Sequence, residues 1–255
     1  MKRLALAIII LLAAFPTAAQ KRRAVIPGLE REQRILFIGN SLTDFNNLPD
    51  IVCRLAAGRH KASCESVTGG GFALEDHFSD GRAVRRLEEE RWSVVVLQQG
   101  PSALASSRVN LREWTARFAP LIAAAGARPA LYAVWPEKAR SFDFARVSES
   151  YRLAASDVGG LFFPAGDAWL AAWRRDSALP LYGGDDFHPS AAGSYLAALV
   201  IYRVLWGELP PLFADPAFAA AAAGGDPGLD ALQLATLVSA AEEAVASSTT
   251  ISSAQ

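Results

Sequence analysis

The sequence predicts an α/β fold in which a parallel sheet lies between two layers of helices. Short apolar runs rich in β-branched and aromatic residues recur at Ile35 to Ile38, Ala62 to Val67, Ser93 to Leu97, Pro129 to Val134 and Gly160 to Phe163. A helical pattern separates each run from the next, and strands that alternate with helices pair in parallel. Right-handed crossovers then place helices on both faces, giving a three-layer α/β/α sandwich around a five-stranded parallel sheet.

At the start of the chain, Met1-Lys-Arg precedes the apolar run Leu4 to Phe15 and then Pro16-Thr-Ala-Ala-Gln20. This is the layout of a secretory signal peptide, with Thr17-Ala-Ala19 as the cleavage site. The run is short for a membrane span. The expectation is a secreted or periplasmic protein with no stable membrane insertion after cleavage. Residues 1–19 read as the signal, 20–33 as a linker, 34–209 as the main domain, 210–246 as a C-terminal loop and peripheral helix, and 247–255 as a disordered tail.

Losing Lys2 and Arg3 takes the formal charge from −1 to −3, and no long basic block follows Lys21-Arg-Arg23. A nucleic-acid partner is therefore not expected. The two cysteines, Cys53 and Cys64, are an even pair that an oxidising compartment allows to join, tying the first helix to the second strand. Two buried free thiols are the alternative. Helices are expected at Leu48 to Ala57, Arg82 to Arg91, Val109 to Ala124, Phe142 to Val158, Asp167 to Arg175 and Ala191 to Trp206. Pro210 to Pro227 reads as a loop, and Leu229 to Val245 as a helix packed on the sandwich.

The first strand runs through Ile35-Leu-Phe-Ile-Gly-Asn-Ser-Leu-Thr43 and delivers Ser41 just past its carboxyl end. In open α/β sheets that edge is where ligands bind. A serine nucleophile needs a base, and the base needs an acceptor that fixes its tautomer. The chain has three histidines, His60, His77 and His188. His188 has the suitable surroundings, since Leu181-Tyr-Gly-Gly-Asp-Asp-Phe-His-Pro-Ser190 sets Asp185 three residues before it in a glycine-rich loop. His77 reads as a surface or capping residue.

Together, Gly39-Asn-Ser-Leu-Thr43 and Asp185-Asp-Phe-His-Pro189 resemble the first and last sequence blocks of the SGNH (GDSL-like) hydrolases. The resemblance spans Ile35 to Val204 and implies a flavodoxin-like fold and ester hydrolysis without metal or organic cofactor. It makes Ser41 the nucleophile, His188 the general base and then acid, and Asp185, rather than the adjacent Asp186, the residue that orients His188. Thr68-Gly-Gly-Gly-Phe-Ala-Leu74 matches the second block, whose glycine N–H joins that of Ser41 in an oxyanion hole. Gly71 is the first choice there and Gly70 the second.

The third block departs from the family's Gly-x-Asn-Asp. Here the strand runs into Val96-Leu-Gln-Gln-Gly-Pro-Ser-Ala103, which aligns Ser102 with the asparagine, or leaves Gln98 or Gln99 to supply the side-chain donor. A glutamine is the expected replacement, in a divergent branch of the family. Trp135 and Tyr182 fall at the same sheet edge as candidate substrate-binding residues. The function expected is an exported serine esterase acting on small acyl esters such as acetyl, carried on a carbohydrate or another small molecule. Lipid or aryl esters are the enzymatic alternative, and an inactive polysaccharide-binding domain is the rival from another class. A metal-dependent phosphoesterase built on Asp185, Asp186 and His188 ranks last.

Overall fold

The computed structural model describes residues 32–252; the expected signal peptide and nearly all of the expected linker lie outside them. The first apolar run forms β1 (Gln33–Gly39), buried from Ile35 onward. A one-turn helix α1 (Ser41–Asp44), a 3-10 turn over Phe45–Asn47 and α2 (Leu48–Ala56) follow. Then come β2 (Ala62–Thr68), α3 (Leu74–Asp80), α4 (Arg82–Glu89), β3 (Val94–Leu97), α5 (Ala105–Ala124) and β4 (Arg128–Tyr132). The order continues with α6 (Phe144–Asp157), β5 (Leu161–Phe163), α7 (Ala165–Arg175), α8 (Ala191–Trp206), α9 (Pro216–Ala223) and α10 (Ala231–Ser252).

All five strands are parallel, in the order β2-β1-β3-β4-β5. Helices α2, α7, α8 and α10 pack together as one layer, and α3 to α6 as the other. Because both faces are covered, the central strands carry continuous apolar runs; Val94 to Leu97 is buried throughout. The chain leaves β1 toward β2 on one side and returns to β3 on the other, so a crevice opens between the carboxyl ends of β1 and β3. Register brings Gly39 level with Thr68, and Ile38 level with Leu97. The serine turn, the glycine run and the glutamine pair consequently leave the sheet at one edge.

Two expectations are corrected and one unassigned segment is filled. The segment after the glycine run is a helix of its own, α3, which the sequence reading left unassigned. The alanine run inside the expected loop 210–227 forms α9, because Asp215 caps it by accepting from Phe218 N and Pro216 opens its first turn. Helix α10 runs past the expected start of the tail at Ser247 and reaches Ser252. There the Ser248 and Thr249 hydroxyls donate to Val245 O, so polar side chains that suggested disorder bond within the helix. The buried face of α10, with Leu234, Leu237, Ala240 and Ala241, packs on α7 and α8. Among the described residues, no helix is long and apolar enough to cross a membrane.

Cys53 on α2 and Cys64 on β2 form a disulfide with a Cα separation of 6.0 Å. It closes a loop of sequence separation 11 around the edge strand. Loop-closure entropy for that length is worth about 3 kcal/mol. The double substitution Cys53→Ser, Cys64→Ser is expected to lower the melting temperature by roughly 5–10 °C, read by thermal circular dichroism. A change under about 2 °C would mean that α2 and β2 hold this edge without it.

Candidate active site

β1 ends at Gly39 because nothing larger fits. A Cβ there would lie 2.4 Å from Thr43 Oγ1 and 2.5 Å from Gln98 Oε1. Asn40, in extended conformation, then caps α1 by accepting from Leu42 N at 3.1 Å. Ser41 is the first residue of that turn, and none of the hydrogen bonds among the described residues uses its backbone N–H. The N–H groups of Gly70 and Gly71 are likewise unused, and Gly71 has the left-handed φ of 73° that favours glycine.

The opposing loop brings His188 to Ser41. Asp185 Oδ1 accepts from the backbone N–H of Phe187 at 3.1 Å and of His188 at 2.9 Å, which folds the loop around the carboxylate. Asp185 Oδ2 lies 2.5 Å from His188 Nδ1, and His188 Nε2 lies 2.9 Å from Ser41 Oγ. A carboxylate accepts only, so Nδ1 carries the proton and Nε2 is left to accept from the serine hydroxyl. The hydrogen bond from the His188 ring, followed by the two backbone N–H donors, holds Asp185 down at about 2. Asp186 turns away, at φ 57°, and its carboxylate accepts from Lys138 Nζ at 2.9 Å. The geometry thus joins Ser41, His188 and Asp185, the three residues that the two sequence blocks singled out.

Neither glutamine offers the side-chain donor expected of it. Gln98, fully buried, accepts at Oε1 from Asn40 N at 2.8 Å and from Thr43 Oγ1 at 2.7 Å, and its Nε2 donates to Asn40 Oδ1 at 2.9 Å and to Gln99 O. Gln99 accepts from Leu74 N and donates to Ser102 Oγ and Asn110 Oδ1. Both amides have two N–H groups, and both N–H groups are committed. Ser102 is buried with a left-handed φ of 58°, and its hydroxyl is spent on Gly100 O. What the third block contributes is the anchorage of the serine turn.

Trp135 is also corrected as a substrate contact, and Tyr182 joins the same aromatic cluster. Trp135 is wholly buried, stacked on Trp169 at 3.6 Å, and its Nε1 donates to Phe187 O at 3.0 Å. Tyr182 packs on Trp169 and Trp173 and donates its hydroxyl to Pro136 O at 2.7 Å. Both support the histidine loop from beneath, which strand-end position in a sequence could not distinguish from lining a cleft. His77 is not at the surface either. It is buried, donates from Nε2 to Gly39 O at 2.8 Å, and packs its ring against the edge of Phe72. Burial pushes its imidazole below the ordinary histidine range, so it stays neutral. His60 stacks on Trp206 at the end of α8, apart from this site.

Sequence reasoning missed Phe45 and Asn46. Phe45 lies flat on the His188 ring, with centroids 4.2 Å apart and planes at 15°. The Asn46 amide reaches Pro189 O, Ser190 O and Ser194 Oγ. The one available signal was the Asn46-Asn47 pair, a residue type that tolerates left-handed backbone. Beside the histidine loop opens a cavity of about 280 Å³, bordered by Pro101 to Leu104, Pro136, Glu137, Arg140 and Phe187.

No family model matches the sequence, and no curated protein matches it. Solved structures do match. A protein assigned as an SGNH hydrolase from Slackia heliotrinireducens is 31% identical, with a TM-score of 0.59, over 69% of this chain and 100% of its own. A DUF4886 family protein from Bacteroides uniformis ATCC 8492 is 17% identical, with a TM-score of 0.63, over 84% of this chain and 95% of its own. A lipase/acylhydrolase from Enterococcus faecalis is 18% identical, with a TM-score of 0.53, over 70% of this chain and 98% of its own. The last two speak for the fold alone.

Gln98→Ala tests the anchorage of the turn. It leaves the Asn40 N–H and the Thr43 hydroxyl without their buried acceptor, at about 1–3 kcal/mol for each group. Urea titration is expected to show a loss of roughly 2–5 kcal/mol. A loss below about 1 kcal/mol would show that the turn does not depend on this amide.

Proposed function

The chain belongs to the SGNH hydrolases, and on that premise we propose that it is an exported serine esterase acting on small acyl esters. The observation that carries this reading is the unbroken line of hydrogen bonds from Asp185 through His188 to Ser41. A non-catalytic binding domain has no need for a hydroxyl, an imidazole of fixed tautomer and an orienting carboxylate in register.

In this mechanism Ser41 Oγ bonds to the acyl carbon as its proton passes to His188 Nε2. The tetrahedral oxyanion sits against the unused N–H groups of Ser41 and Gly71, with Gly70 as a further backbone donor. With Gln98 and Gln99 committed elsewhere, the hole relies on backbone dipoles, which are fixed before the charge develops and need no reorganisation. The carbon–oxygen bond to the alcohol then breaks, and the departing alcohol takes the proton from Nε2. Water adds to the acyl-enzyme by the same route, giving its proton to Nε2. Collapse frees the acid and returns the proton to Ser41.

The cavity beside Phe187, at about 280 Å³, is at the small end of ligand pockets. Taken as the acyl site, a cavity of that size fits a short acyl group or a single sugar unit better than a long lipid chain. Carbohydrate remains the preferred acceptor by family resemblance and export. The Cys53–Cys64 disulfide supports export, since such bonds persist in oxidising compartments.

The first test is hydrolysis of p-nitrophenyl acetate and butyrate by the mature protein. Ser41→Ala and His188→Ala, each checked for folding, are expected to lower kcat by roughly 10³-fold or more. Asp185 is held at about 2, so it stays ionised as the pH falls to 4 and contributes no limb to the rate profile above that. Turnover that survives in Ser41→Ala would remove serine from the mechanism. No turnover by the wild type, even on acetylated polysaccharides, would favour the binding-domain reading.

A further inference from the structure

Ser41 and His188 lie 147 residues apart on two different loops, and one hydrogen bond of 2.9 Å spans them. A single bond of that kind contributes little net and cannot by itself hold two loops in register. A second connection lies directly beside it. The side-chain amide of Asn46, five residues after the serine, lies 3.0 Å from Pro189 O, 3.0 Å from Ser190 O and 2.9 Å from Ser194 Oγ. Two of these acceptors are carbonyls, which cannot donate, so the nitrogen must be the atom that faces them. Ser190 in turn caps α8, accepting from Gly193 N at 3.0 Å. Asn46 therefore grips the histidine loop at the point where that loop is fixed to a long buried helix.

The backbone carries a matching sign. Asn46 and Asn47 are consecutive non-glycine residues in the left-handed region, at φ 55° and 54°. That conformation is unfavourable for a non-glycine residue and persists where surrounding contacts hold it. The strained pair directs the Asn46 amide toward the histidine loop while Phe45, one residue earlier, lies on the face of the His188 ring. Phe187 packs on the same ring edge-on, at 5.1 Å and 65°. Phe45 is nevertheless 43% exposed, so burial of the residue does not account for its position.

The geometry points to Asn46 as a positioning residue for the Ser41–His188 pair, which it sets by clamping the serine loop to the histidine loop and holding Phe45 flat on the imidazole. This inference rests on the esterase reading above. Asn46 touches no reacting atom and acts through the two residues that do.

The test compares Asn46→Gly, Asn46→Asp and Asn47→Gly with the wild type on p-nitrophenyl acetate. Glycine keeps the left-handed backbone and removes only the amide, so Asn46→Gly is expected to fold with near-wild-type Tm. Its kcat is expected to fall about 10-fold to 10²-fold with KM within about twofold, since a misplacement near 1 Å costs about 10²-fold. Asn46→Asp keeps the shape but turns a carboxylate toward two carbonyls and is expected to be slower still. Asn47→Gly keeps the left-handed backbone and removes an amide that, among the described residues, bonds only to Asp50, and is expected to leave kcat unchanged. The rate of covalent inactivation by an organophosphonate, which reads the reactivity of Ser41 without acyl transfer, is expected to fall in parallel with kcat.

Wild-type kcat and inactivation rate in folded Asn46→Gly would overturn the clamp and leave the esterase reading standing. So would Asn46→Asp being faster than Asn46→Gly, or a loss confined to KM. Should Asn46→Asp fail to fold, Asn46→Gly alone decides. A wild type that neither turns over esters nor reacts with the phosphonate would instead overturn the esterase reading, and the clamp with it.

Discussion

Ser41 stands where it does because β1 leaves the sheet through a turn too tight for any side chain at Gly39, closed by one buried amide. Gln98 lies at the end of the neighbouring strand, and its side chain takes the Asn40 backbone N–H, the Asn40 side-chain Oδ1 and the Thr43 hydroxyl at once. Had Asn40 and Thr43 no such partner, two polar groups would be stranded in the core, and the turn would relax toward water. His77 closes the other side by donating to Gly39 O, in a neutral form that its burial enforces. Ser41 is thus held by the crevice that parallel topology opens between β1 and β3.

This explains why the third block departs from the family pattern without leaving the turn unsupported. A glutamine at the strand end is one methylene longer than asparagine, and here that reach carries its amide back beneath the serine turn. Once both of its N–H groups are bound there, it cannot also meet an oxyanion. Gln99 follows the same logic toward α3 and the Ser102 loop, while the Tyr151 hydroxyl lies between Gln99 N and the carbonyls of Gln99 and Gly100. In the mechanism proposed above, stabilisation of developing charge then falls to backbone N–H groups on the serine turn and the glycine run.

Much of this was legible in the sequence, and the reasons differ from place to place. Buried strands announced themselves because a sheet covered on both faces needs unbroken apolar runs, and the order of blocks placed Ser41 and the Asp-x-x-His loop at one edge. The disulfide was allowed by count and spacing but not decided by them. The roles of Gln98, Trp135 and His77 were not legible, because each depends on partners 34 to 58 residues away that local spacing does not encode. The alanine run of α9 was read as loop because its flanking prolines and glycines weigh as breakers, although Asp215-Pro216 is also a helix start. Phe45-Asn46-Asn47 showed no periodicity at all, and its meaning emerges only across the gap to Ser190.

The same contrast bears on what Asp185 does. Its side chain is about half exposed, so its charge acts through water and is screened. A field of that kind cannot be the main reason for placing it beside His188. Three hydrogen bonds converge on it, two from its own loop backbone and one from the ring, and these depress its pKa. The carboxylate therefore works chiefly as a geometric element that fixes one tautomer and one ring angle. Trp135 and Tyr182 brace the same loop from below through Phe187 O and Pro136 O. With so much of the orienting work done by an exposed loop, precision at Ser41 has to come from ties outside the triad, and the crevice amide and the braced loop supply them from opposite sides.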